Sequence, residues 1–98
     1  QALVSRIVAE NEQFFAPGQY ELAGNEAAET SGAEAFLRRD QQGNLLMVFV
    51  NLGRAKAEFS GKFKKSGSVI DCRSGAESSD ITGSLNPGDI AAYKLQAK

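Results

Sequence analysis

Twelve carboxylates, eleven Lys or Arg side chains and one thiol carry the chemistry available to this 98-residue sequence, and no histidine accompanies them. Without histidine there is no Ser-His or Cys-His pair, and most zinc sites go with it. Glycosidic acid/base chemistry needs two carboxyl groups roughly 5–10 Å apart across a cleft. The segment from Glu26 to Glu34 places its carboxylates among small residues, with no aromatic wall to raise a pKa. Cys72 lies two residues from Ile70, with no base beside it, and reads as an inert core thiol. There is no Walker A loop, and Gly75 to Gly83 does not fit a dinucleotide fingerprint. The reading is therefore of a fragment with no catalytic residue, no metal ligand and no cofactor.

Two other features invite a ligand. Arg38-Arg39-Asp40 looks like a phosphate site, but consecutive strand residues point to opposite faces, so the reading is a strand end held by ion pairs. Sugar binding by a β-domain rests on exposed rings stacking on a pyranose. With six Phe, two Tyr and no Trp, the candidate platforms are Tyr20 and Phe63, because the other Phe residues fall on positions that alternation or a helical stripe would bury.

The element that must position everything else is a hairpin from Ala35 to Gly53. Its second arm, Leu45 to Val50, is the longest apolar run, with Leu45, Met47 and Phe49 on one face and Leu46, Val48 and Val50 on the other. A strand apolar on both faces must be covered on both. One cover is an opposing sheet; the other is a helix, a loop or a separate domain. Asp40 to Asn44 supplies the Gly and Asn of the hairpin loop.

Residues 1–15 place Leu3, Val4, Ile7, Val8, Phe14 and Phe15 at helical spacing, predicting an amphipathic helix over Leu3 to Gln13, stopped by Pro17-Gly18. Short alternating strands are expected at Gln19 to Leu22, with Tyr20 and Leu22 sharing a face, and at Ala33 to Arg39, Ala55 to Phe59, Ser68 to Cys72 and Ile90 to Leu95. Ala23 to Gly32 and Glu77 to Gly83 read as loops, and Lys62 to Gly67 as a basic turn region. Asn86-Pro87-Gly88-Asp89 has the order of a type II turn. The fold class is all-β: an antiparallel Greek-key β-sandwich of about six to eight strands, preceded by one short N-terminal helix.

Net charge is −1, which argues against nucleic acid or an anionic membrane as partner. Basic residues concentrate between Arg38 and Lys65, and read as solvated strand faces and edge-blocking lysines. A single cysteine closes no internal disulfide and leans towards a reducing, cytoplasmic setting. No signal peptide, membrane-spanning run or glycosylation sequon is present, and the start at Gln1 without methionine is that of a processed product or a piece of a longer chain.

A helix before Pro17-Gly18-Gln19-Tyr20-Glu21-Leu22, then Ala35-Phe36-Leu37-Arg38-Arg39, Gly43 to Leu52, and Leu85-Asn86-Pro87-Gly88-Asp89-Ile90-Ala91-Ala92-Tyr93 together resemble the C-terminal all-β domain of the alpha-amylase superfamily of glycoside hydrolases. The resemblance rests on order and spacing over nearly the whole chain. It implies that residues 1–15 correspond to the last helix of a preceding catalytic barrel and 16–98 to the accessory sandwich. The barrel of the same parent chain, a glycoside hydrolase or transglycosidase, would be the partner, and α-glucan a further one. No residue here matches the family's catalytic motifs. The expected interdomain contacts are Leu3, Val4, Ile7, Phe14, Leu45, Met47 and Phe49. In isolation the domain would be inactive and prone to self-association through exposed apolar surface. The alternatives are a carbohydrate-binding module for starch-like glucans and a protein-binding sandwich.

Overall fold

The computed structural model describes residues 2–96; Gln1, Ala97 and Lys98, at the ends of the two expected segments, lie outside the described residues. Helix α1 (Ala2–Glu10) and a 3-10 turn (Glu12–Phe14) precede eight strands: β1 (Tyr20–Ala23), β2 (Ala28–Gly32), β3 (Glu34–Asp40), β4 (Leu45–Val50), β5 (Ala57–Phe63), β6 (Ser68–Asp71), β7 (Ile81–Leu85) and β8 (Ile90–Gln96). A five-stranded sheet in the order β1-β3-β4-β8-β6 faces a three-stranded sheet in the order β2-β5-β7. Every pairing is antiparallel, and the chain crosses repeatedly between the sheets, as Greek-key links require.

The alternation in β4 works as its sequence dictates. Leu45, Met47 and Phe49 enter the core between the sheets beside Phe59, Phe63, Ile81, Leu85, Ala91, Tyr93 and Leu95. Phe49 stacks on Phe59 with centroids 4.6 Å apart and meets Tyr93 edge-on at 6.5 Å. The sheets close this tightly because β5 has Gly61 opposite β4; a Cβ there would stand 2.5 Å from Met47 Sδ and 3.0 Å from Phe49 Cζ. On the outer face of the larger sheet, Leu46, Val48 and Ala92 lie under Ile7 and Phe14. The second cover is thus the chain's own N-terminal segment.

Helix α1 stops at Glu10, short of the expected Gln13. Asn11 Nδ2 donates to Ile7 O at 2.9 Å, and Asn11 N donates to Val8 O at 3.2 Å. A side chain that competes for a helical carbonyl ends the α-turns, and a 3-10 turn swings Phe14 onto the sheet. At the β3–β4 turn, Gly43 takes φ of +87°, while Asn44 supports the turn by side chain, donating through Nδ2 to Asp40 Oδ2 at 3.0 Å. At the other end of β4, buried Asn51 donates to Ala55 O and Leu85 O, both at 2.9 Å, and its backbone bonds Gly88 and Asp89. This ties the Asn86–Asp89 turn to the end of β4.

Three expectations are corrected. Ala23 to Gly32 is not a loop throughout, since β2 occupies Ala28–Gly32; only Ala28 of that strand is buried, so no alternating signal exists. Glu77 to Gly83 likewise runs into β7, where Ile81 and Leu85 are buried and Gly83 sits against the Phe59 ring. Lys62 and Phe63 belong to β5, which begins at Ala57 rather than Ala55 and runs past Phe59. By alternation Tyr20 and Leu22 lie on one face of β1, but Leu22, across from Arg38 on this edge strand, is 75% exposed.

Candidate functional site

Arg38 and Arg39 diverge as consecutive strand residues must. Arg39 reaches Glu21 Oε1 at 2.9 Å and Glu26 Oε1 at 3.5 Å, an ion-paired strand end. The Glu26 carboxyl is held below its usual range, first by the Gly24 and Glu26 backbone amides and then by Arg39. Arg38 turns to the helix side. Its guanidinium donates to Phe14 O at 3.0 Å and lies over the rings of Tyr20 (4.4 Å), Phe36 (4.9 Å) and Phe15 (5.1 Å). One cation therefore fastens the 3-10 turn, β1 and β3 together, with each ring contact adding about 0.5–2 kcal/mol. Sequence reasoning did not anticipate this cage. Its parts are separated by many residues, and only the pairing of β1 with β3 and the docking of the turn assemble them.

The two candidate sugar platforms separate. Phe63 is 8% exposed and packs inside the core, so its ring is not available for stacking. The cause is the extension of β5, which turns Phe63 inward in register with Ala28. Tyr20 is half-buried with one face under Arg38. It also lines a shallow depression of about 440 Å³ with Gln19, Glu21, Arg39, Asp40 and Gln41.

The seven expected interdomain residues also divide. Leu45, Met47 and Phe49 are spent against the smaller sheet and present nothing outward, because the odd-numbered residues of β4 all face it. Ile7 and Phe14 are consumed in the seam between the N-terminal segment and the sheet. Leu3 and Val4 remain half-buried on α1, with the more exposed Val8 on the same helix. Among the described residues no helix is long and apolar enough to cross a membrane, and no group of three or more Cys, Asp or Glu residues is gathered to hold a metal ion.

Cys72 is a free, partly buried thiol packed at the margin of the outer-face cluster. Burial pushes its pKa up, Asp71 and Glu10 add to the shift, and Lys94 and Asn11 oppose it. Burial also raises the Tyr93 phenol, with Asp71 adding and Arg73 opposing. Both groups hold their protons more tightly when folded. As pH climbs through the ordinary thiol and phenol ranges, the unfolded chain ionises first and stability falls. Urea midpoints are expected to drop between about pH 8.5 and 10.5, and Cys72→Ala should flatten the early part of that decline. Iodoacetamide should label native Cys72 several-fold more slowly at pH 8 than the urea-unfolded chain, because the thiolate is the reactive form.

Eight antiparallel strands in two facing sheets, with one helix sealing the larger sheet, make this an all-β sandwich. No family model, no curated protein and no solved structure matches the chain.

Proposed function

We propose that the chain is a non-catalytic accessory domain of an alpha-amylase-like glycoside hydrolase, and that it stabilises the catalytic barrel by packing against it through the face that α1 covers. The observation that carries this reading is the seam itself. The central sheet is apolar on its outer side, and an N-terminal helix seals it while keeping Val4 and Val8 partly exposed on its own surface. A helix buried on one side and partly apolar on the other fits a joint between two bodies. The segments that resemble the family also fall on adjacent strands of one sheet, Ala35 to Arg39 on β3, Leu45 to Val50 on β4 and Ile90 to Tyr93 on β8.

The test compares the proposed parent enzyme with and without residues 17–98. Removal should lower its melting temperature by several degrees and reduce soluble yield, and residues 1–98 alone should release no reducing sugar from starch. A parent that melts unchanged and stays soluble would overturn the proposal.

A second reading, direct affinity for starch-like glucans, draws on the depression lined by Gln19, Tyr20, Glu21, Arg39, Asp40 and Gln41. Saturable maltooligosaccharide binding that Tyr20→Ala abolishes would favour it.

A further inference from the structure

A strand edge left open is a template for pairing, and natural sheets guard such edges with charge, irregularity or cover. Three of the four edges here are guarded. Strand β6 is covered by the segment after it, through Asp71 N to Ala76 O and Ser78 N to Val69 O, both at 2.9 Å. Strand β1 is only four residues long and carries Glu21, and β2 carries Glu29 and ends in the left-handed Gly32. Strand β7, Ile-Thr-Gly-Ser-Leu, has no charge and no proline, and Thr82, Gly83 and Ser84 are exposed.

The hydrogen-bonding direction of this edge follows from the neighbouring ladder. Glu58 O accepts from Ala33 N and therefore points towards the β2 side. By alternation Ala57, Phe59 and Gly61 point towards β7, where they meet Leu85, Gly83 and Ile81. The main-chain groups of Thr82 and Ser84 are then the ones directed off the sheet, two N–H donors and two C=O acceptors.

We infer that β7 is a homodimerisation edge, pairing antiparallel with β7 of a second copy about a two-fold axis at Gly83. In this register Thr82 faces Ser84 of the partner subunit and Ser84 faces Thr82 of the partner subunit, closing four hydrogen bonds. Gly83 meets its own counterpart at the close, non-hydrogen-bonded position, where the absence of a side chain suits the short separation. The hydroxyl side chains of Thr82 and Ser84 form favourable cross-strand pairs on the outer face. Charge is compatible too: Glu58 lies beside Ser84, Ser60 beside Thr82, so a row crossing the junction reads Glu, Ser, Thr, Ser with no like charges opposed. The result is one six-stranded sheet across two subunits. An edge of five residues buries well under the roughly 1,200 Å² of stable interfaces, so the dimer is weak, with a Kd on the order of 0.1–1 mM. This surface lies on the smaller sheet, away from the helix-covered face.

Sedimentation equilibrium from about 10 µM to 1 mM tests it. The weight-average mass of the wild-type chain should rise towards twice the monomer value. Thr82→Lys with Ser84→Lys, which sets Lys opposite Lys twice, should weaken association at least tenfold, whereas Thr82→Lys with Ser84→Glu should restore it at low salt. Because foldedness of the variants matters, amide exchange on the wild-type chain gives a second readout: protection of the Thr82 and Ser84 amides should increase with concentration. A mass that stays monomeric to 1 mM, association unaffected by the double lysine, failure of the Lys/Glu pair to restore it, or concentration-independent Thr82 and Ser84 exchange would each overturn the assignment.

Discussion

Phe49→Ala is expected to remove about 4 kcal/mol from the unfolding free energy, within the usual 3–5 kcal/mol for a buried aromatic ring cut back to a methyl group. The ring is 0% exposed and lies midway between the sheets, stacked on Phe59 and touching Tyr93 by its edge. Two features keep the cost at that level rather than lower. The hole cannot collapse easily, because β3 and β8 hold β4 on both sides through six paired residues each. The facing position on β5 is Gly61, which has no side chain to swing into the space. A domain of this size has about 5–10 kcal/mol to lose, so the variant should unfold at roughly 20–60% of the urea concentration that unfolds the wild type. Phe49→Leu, which keeps most of the volume, should cost under half as much. A Phe49→Ala loss below about 1.5 kcal/mol by urea titration would mean that the aromatic cluster is not the centre of the fold.

Some elements were readable from residues alone because their local pattern and their final environment agree. Strand β4 is apolar on both faces and is buried on both; β8 alternates Ala91, Tyr93, Leu95 against Ile90, Ala92, Lys94, and the first set faces the opposing sheet. Asn86 to Asp89 carries turn chemistry and forms a turn, with Asp89 N bonding Asn86 O at 3.0 Å. Strands β2 and β7 were hidden for a shared reason. They line the edges of a three-stranded sheet; β2 buries only Ala28, and β7 buries only its two end residues, Ile81 and Leu85. Few large residues are needed there because Phe59 and Phe63 of the strand between them fill most of the space, so β5 carries the alternating signal while β2 and β7 show too little of it to be read as strands. The Arg38 cage was illegible for a different reason: a guanidinium between rings from the N-terminal turn, β1 and β3 is a property of docking and register, and no local window contains it.

The same logic makes the N-terminal segment the place where fold and proposed role can be separated. Residues 3–15 cover the outer face of the five-stranded sheet through Leu3, Ile7, Phe14 and Phe15, and without them Leu46, Val48 and Ala92, all fully buried, would meet water together with Phe36 and Ile90. Burial of Ile7 and Phe14 alone contributes about 2–3 kcal/mol each, and Arg38 would lose both its acceptor at Phe14 O and the Phe15 ring. The sum, about 5 kcal/mol, approaches the whole stability of a domain of this length. Residues 17–98 are therefore expected to be unfolded or aggregated at 25 °C by circular dichroism and light scattering. Phe14→Ala in the full chain, at a cost of about 3–4 kcal/mol, should remain folded at low temperature with a much reduced urea midpoint. If residues 17–98 fold as stably as the full chain, the helix merely adjoins the sandwich and the sheet tolerates an open apolar face. If instead they collapse while Phe14→Ala survives, the sandwich depends on the body that carries the helix, which is the physical basis on which it would stabilise a neighbouring barrel.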